Sequence, residues 1–328
     1  MVASFSRIKE RKHLIDESIE LFRKAIAQGK KSARLGDSEI YNLEKQLQGL
    51  EEDVLKIVIV GEYSRGKSSL LNALIGMDLL PTNAAQTTAI NTFIKTLPPE
   101  QNEEYIEIHY IDRERKPERI PYGLAQIEQW GTELDQTNSN LRRDIERIVI
   151  YSSHDLLKHN LELIDTPGLS GIIAHHKKIA QNAMREAHVA IWLQSAEQLG
   201  GNQQEWLFLN DVLKRTFGKF ITVINKWDLV LEPANERERI GTPQDRAEKA
   251  KNTFRKNFCE QVTGFTSVQV DMLCNEYHLF GVSALWAQEN NVQHQLDSGI
   301  EALGKRIETL SLSGEGELAR LSTPLKKL

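Results

Sequence analysis

The sequence predicts an α/β fold, a mostly parallel sheet with helices on both faces, and three observations carry it. From Lys56 to about Leu312 short apolar runs alternate with amphipathic helical stretches, the pattern of strands joined by crossover helices. The first run, VLKIVIV, leads directly into Gly61-x-x-x-x-Gly66-Lys67-Ser68 and then into a helix. Two later runs, LELIDTPG and FITVINKWD, also end in polar clusters at the point where a strand would leave the sheet.

Before this region, apolar residues recur at helical spacing: Ile8, Ile15, Ile19, Phe22 and Ile26, then Ile40, Leu43, Leu47, Leu50 and Val54. The Leu35-Gly36-Asp37 stretch predicts a break, so residues 1–54 read as two tandem helices. Near the other end, Ile300, Leu303, Ile307 and Leu310 form a second stripe, opened by a capping-box pattern Ser298-x-x-Glu301. That stripe is expected to cover the N-terminal helices. Residues 313–328 continue as Leu318, Leu321 and Leu325, a helix segment that reads as cut from something longer. Strands are expected in KIVIVG, AINTFIKTL, YIEIHYI, IERIVIYS, LELIDTPG, VAIWLQS, FITVINKWD and HLFGVSAL, and helices after Lys67, Lys177, Gln203 and Thr242. IDRERKPERI reads as a hairpin loop and Tyr122 to Leu134 as a polar helical piece.

Composition narrows the functional classes. The 328 residues carry a net charge of −5, which gives no support to a nucleic-acid partner, although the first 36 residues hold nine Lys/Arg against four Asp/Glu. Cys259 and Cys274 lack metal-ligand spacing and read as reduced thiols in a cytoplasmic setting. No apolar run approaches the roughly 18 residues that a membrane span requires.

The chemistry is concentrated at strand ends. In the loop after the first strand, backbone N–H groups of Gly61, Ser64, Arg65 and Gly66 cradle phosphates, Lys67 reaches the outer ones, and Ser68, followed by Ser69, offers a hydroxyl to magnesium. Asp165 is placed to hold a water on that metal, and the Gly168 N–H to sense a γ-phosphate. Asn225, Lys226 and Asp228 form the base-reading set: the Asp228 carboxylate accepts two N–H donors from guanine, a pair that adenine lacks. Ser283 and Ala284 supply a backbone N–H for the guanine O6. In LLPTNAAQTTAINTF a threonine is expected to close over magnesium and the γ-phosphate.

These four motifs in order resemble the GTPase superfamily, with its P-loop GTPase fold. GEYSRGKSSLLNALIG, LLPTNAAQTTA, LELIDTPGL and the SAEQ after VAIWLQ together are similar to bacterial dynamin-like proteins. The resemblance spans about residues 55–312, a dynamin-type GTPase domain flanked by neck helices. It implies that Thr88 is the switch threonine and metal ligand, and that catalysis draws on Ser64, Arg65, Lys67, Thr88 and Gly168. It implies Mg2+, with K+ or Na+ as a monovalent cation, GTP and GDP as ligands, and dimerisation across the nucleotide face. It also implies membrane remodelling from a cytoplasmic or peripheral position, with lipid contact through parts outside this chain.

Many GTPases orient the attacking water with a glutamine after the Asp-x-x-Gly motif, and here that position is Leu169. Slow turnover by an isolated monomer is therefore expected, with Arg65 the sharpest candidate for added charge stabilisation. Tyr63 stands where the family pattern has a glutamine, and His175 and His176 fall in the second switch region. Two rival functions share the motifs: a switch GTPase acting on ribosome or RNA, and a scaffold that senses GTP with little turnover.

Overall fold

The computed structural model describes residues 17, 19–32, 36–37, 39–41, 43–44, 47, 54–62, 64–82, 90–112, 114–131, 144–167, 183–184, 187–201, 203–216, 220–313 and 316. Tyr63, Thr87, Thr88, Gly168, Leu169, His175, His176 and the stripe Leu318, Leu321 and Leu325 lie outside these residues, and of the helix expected after Lys177 only Ala183 and Met184 are described, both helical.

Nine strands form one sheet: β1 (Leu55–Val60), β2 (Thr92–Thr96), β3 (Tyr105–Tyr110), β4 (Glu118–Pro121), β5 (Ile145–Ser152), β6 (Leu161–Asp165), β7 (Val189–Ser195), β8 (Phe220–Asn225) and β9 (Leu279–Gly281), in the order β4-β3-β5-β2-β6-β1-β7-β8-β9. Pairing is parallel across β2/β5, β6/β1, β1/β7, β7/β8 and β8/β9, and antiparallel at β4/β3, β3/β5 and β2/β6. All eight expected strands are present. The addition is β4, which pairs with β3 and turns the basic loop of IDRERKPERI into the tip of a hairpin.

Alternation along each central strand divides the core into two layers. Leu55, Ile57 and Ile59 of β1 and Ile191 and Leu193 of β7 face one layer, with Leu70, Leu71, Leu74 and Ile75 of α1 (Lys67–Ile75). Val58, Val60, Ala190 and Trp192 face the other. There they meet α3 (Gln203–Thr216), α5 (Pro243–Gln261) and α6 (Ser267–Leu273), with α2 (Leu124–Gly131) before α3 and α4 (Asp228–Leu231) before α5 in chain order. Trp192 is the hub of this second layer, with ring centroids 5.1 Å from Trp206, 5.9 Å from Phe254 and 6.2 Å from Phe258. The long helix α5 starts where its sequence says it should. Thr242 accepts from the Asp245 N–H while Asp245 accepts from the Thr242 N–H, and Pro243 follows at the first helical position.

Two expectations at the chain's flanks are corrected. The stripe Leu303, Ile307 and Leu310 lies on α9 (Ile300–Leu312), which follows α7 (Ala284–Gln288) and α8 (Val292–Asp297), and it is buried in the first core layer with Leu55 and Leu157. Phe22 and Ile26 of the first N-terminal helical stretch pack with Leu43 and Leu47 of the second in a separate cluster. Nor does Ser298 open α9 through a capping box. Gly299 occupies the cap in a left-handed conformation (φ 72°), and Ser298 instead closes α8, its hydroxyl donating to the Gln295 carbonyl at 2.6 Å. Glu301 pairs with Lys305 one turn on. A β-carbon on Gly299 would sit 2.3 Å from the Gly281 carbonyl oxygen, so the α8–α9 corner requires glycine and the cap follows the corner.

Because Phe254 is fully buried between Trp192 and Phe258, Phe254→Ala is expected to lower unfolding free energy by about 3–5 kcal/mol. Denaturant unfolding followed by tryptophan fluorescence measures it.

Candidate guanine-nucleotide site

The sheet order brings the motifs together. β1 is flanked by β6 on one side and β7 on the other, both parallel to it, so the chain leaves all three strands at the same edge. Such a point, where successive connections diverge to opposite sides, opens a crevice beyond the carboxyl ends of the strands. Register fixes the neighbours: Ile59 lies beside Asp165, Val60 beside Trp192, and Ser195 beside Asn225.

The phosphate loop leaves β1 at Gly61, whose missing β-carbon would meet the Leu193 carbonyl oxygen at 2.6 Å. Ser64 (φ 64°) and Gly66 (φ 84°) are both left-handed, a backbone state that in turns of this kind can gather N–H groups into an anion-binding concavity. For Ser64 this is a disfavoured backbone state, held by its surroundings. Gly66 is required twice, since a β-carbon there would also lie 2.4 Å from Asn225 Nδ2.

Lys67 is buried, and its ammonium donates to the carbonyls of Gly61 (3.2 Å) and Glu62 (3.1 Å). Burial lowers its pKa, opposed by the negative charges of Asp165 and Glu62. Ser68 Oγ donates to Asp165 Oδ2 at 3.0 Å, which joins two hard oxygen donors from β6 and the start of α1. Among the described residues no group of three or more His, Cys, Asp or Glu could hold a metal by itself. One hydroxyl and one carboxylate fit Mg2+, which keeps several waters and is completed by a nucleotide's phosphates. Ser69 follows in the same helix turn.

On the base side, Asn225 ends β8 and bridges two loops. Its Nδ2 donates to the Arg65 carbonyl at 3.0 Å and its Oδ1 accepts from the Ala284 N–H at 3.2 Å. Lys226 is left-handed (φ 59°) and its ammonium lies 2.6 Å from Glu197 Oε2, an ion pair that lowers the Glu197 pKa. Asp228 Oδ1 accepts from Ser283 Oγ at 2.6 Å. Trp227 packs into the second core layer, against Gly281.

Within this web the Ala284 N–H donates to Asn225 Oδ1 and the Ser283 N–H to the Ser298 carbonyl (2.8 Å). Arg65 is also held within the protein. Its guanidinium turns inward, with Nε 3.3 Å from Glu205 Oε1, Nη2 3.1 Å from Glu205 Oε2 and Nη2 3.2 Å from Gln198 Oε1. Sequence reading passed over Glu205 and Gln198, because a carboxylate in the first turn of a polar helix gives no sign that folding will bury it. The SAEQ segment gave a partial signal: it contains both Glu197 and Gln198, which reach the base-side and phosphate-side loops respectively.

With this geometry in view, similarity to known proteins is informative. The dynamin family profile matches residues 57–227. A bacterial dynamin-like protein of Nostoc punctiforme is 26% identical over 265 residues, covering 76% of this chain and 36% of that protein. Dynamin-like protein 2 of Campylobacter jejuni is 29% identical over 168 residues, covering 50% of this chain and 25% of that protein. The chain therefore matches well under two thirds of the length of these relatives. An oligomerised bacterial dynamin pair, solved as a mechanism for the long range sensing and tethering of membranes, shares the fold with a TM-score of 0.56 at 19% identity over 96% of this chain and 46% of that one. GTPases of this kind use Mg2+, which the Ser68 and Asp165 oxygens fit. Strand order, phosphate loop, base-reading motif and family profile agree: the chain belongs to the dynamin family and carries its GTPase domain.

Proposed function

We propose that this chain binds and hydrolyses GTP as a dynamin-like mechanoenzyme whose turnover rises on dimerisation across the nucleotide face. The observation that carries the nucleotide reading is the Asn225 bridge. By holding the Arg65 carbonyl with one end of its amide and the Ala284 N–H with the other, it sets phosphate-binding and base-reading loops at a fixed separation. Asp228, oriented by Ser283, then presents a carboxylate that guanine's two N–H donors satisfy and adenine leaves unpaired.

In the hydrolytic step, the Lys67 ammonium moves its hydrogen bonds from the loop carbonyls to the outer phosphates and offsets the charge that develops there. The Ser64 and Gly66 backbone conformations aim N–H donors at the same oxygens. Ser68 and Asp165 would hold Mg2+, which would supply Lewis-acid stabilisation to the phosphates. Thr88 and the Gly168 N–H are the proposed γ-phosphate contacts, as the family resemblance implies. Leu169 cannot hydrogen-bond a water, which supports the need for a second protomer, and K+ or Na+ is the proposed source of additional charge.

Membrane remodelling is the proposed use of this cycle. It rests on the family and on the tethering relative, with lipid contact through parts outside this chain. A cytoplasmic, peripheral position is proposed from the family resemblance; among the described residues no helix is long and apolar enough to cross a membrane.

Phosphate release per protomer is expected to climb with protein concentration for GTP, to remain near background for ATP, and to differ between K+ and Na+. A low, flat turnover with tight GTP binding would favour a GTP-sensing scaffold instead. Asp228→Asn should weaken GTP binding by about 100-fold or more, because two hydrogen bonds to a charged acceptor are lost. The same variant should bind xanthosine triphosphate better than the unaltered chain does, as titration calorimetry would show.

A further inference from the structure

We propose that Glu205 is a positioning residue for the phosphate loop, acting through the Arg65 side chain with Gln198 as its second holder. This rests on the reading of the site as a guanine-nucleotide site. The Arg65 side chain is 9% exposed and that of Glu205 is 0% exposed. Two guanidinium nitrogens meet two carboxylate oxygens, at 3.3 and 3.1 Å, and Gln198 Oε1 takes a further bond at 3.2 Å. Glu205 Oε1 also accepts from the buried Gln194 amide at 3.3 Å, so the carboxylate is itself held from the end of β7.

A buried ion pair of this kind adds little net stability compared with an apolar replacement, because desolvation offsets most of the attraction. What it adds is direction. A fork-to-fork contact admits one orientation of the guanidinium, and Arg65 lies between the two left-handed residues Ser64 and Gly66 that shape the loop. Fixing its side chain fixes the turn on both sides. The Arg65 carbonyl meanwhile accepts from Asn225, so one residue is tied by its main chain to β8 and by its side chain to α3. The pair also lies close enough to Lys67 that both charges act on its ammonium, with opposite signs. The loop thus reaches its phosphate-binding shape before a ligand arrives, and little binding energy is spent on ordering it.

The test is a double-mutant cycle on the full chain, read as the dissociation constant of fluorescently labelled GDP with Mg2+. Glu205→Gln, Arg65→Gln and the double variant are compared at a temperature where each is folded. Glu205→Gln is expected to weaken binding about tenfold in the unaltered background and by less than about twofold once Arg65 is glutamine. Gln198→Leu should weaken binding about threefold with Arg65 present and leave it unchanged without it, and this arm decides the matter if Glu205→Gln does not fold. Equal losses in both backgrounds, or unchanged affinity with only a lower unfolding midpoint, would overturn the positioning role. Failure of the unaltered chain to bind labelled GDP would overturn the nucleotide-site reading as well, whereas binding with uncoupled variants would overturn this inference alone.

Discussion

Parallel pairing of β1 with β6 on one side and β7 on the other is the constraint on which the site depends. A parallel strand must deliver its following loop to the same edge as its neighbour's. Gly61, Asp165, Ser195, Asn225 and Gly281 all leave the sheet there, although they are spread across more than half of the chain. An antiparallel β1/β6 pair would carry Ser68 and Asp165 to opposite ends of a strand. As it is, the register Ile59 to Asp165 brings the hydroxyl and the carboxylate to 3.0 Å.

Close backbone approach then converts proximity into geometry. Gly61 lets the phosphate loop lie against the β7 carbonyl at Leu193, and Gly66 lets it lie against the Asn225 amide. The positions where the loop is narrowest are glycines, and the polar residues around them are bonded to one another across strands rather than along the chain. Asn225 meets Arg65, Lys226 meets Glu197, and Asp228 meets Ser283. The same logic reaches the last helices. The Ser298 carbonyl receives the Ser283 N–H, so the α8–α9 corner supports the base-reading loop while α9 fills the first core layer.

Much of this was legible in the sequence because it is encoded locally. Gly-x-x-x-x-Gly-Lys-Ser after an apolar run, Asp-Thr-Pro-Gly and Asn-Lys-Trp-Asp each carry their chemistry within a few residues of a strand end, and strand periodicity located every expected strand. The cap on α5 was also readable, since Thr242, Pro243 and Asp245 are near neighbours. The failures share one cause. Ser298-x-x-Glu301 has a capping-box spacing, but the contact between Gly299 and Gly281 dictates a left-handed corner that overrides it. The stripe on α9 announced that it would be buried but not against what, because an amphipathic helix specifies a face and leaves the partner to topology.

The sequence by itself determined the strand and helix periodicities, the identity of the nucleotide-binding motifs and their order along the chain. Those properties depend on contacts between near neighbours, where spacing and residue type suffice. Only the tertiary structure decided that Arg65 turns inward to Glu205, 140 positions away, that Asn225 joins the two halves of the site, and that the Ala284 N–H donates to Asn225. These depend on which strands become neighbours and in what register, and a buried pair gains its meaning from the low-dielectric surroundings that folding creates.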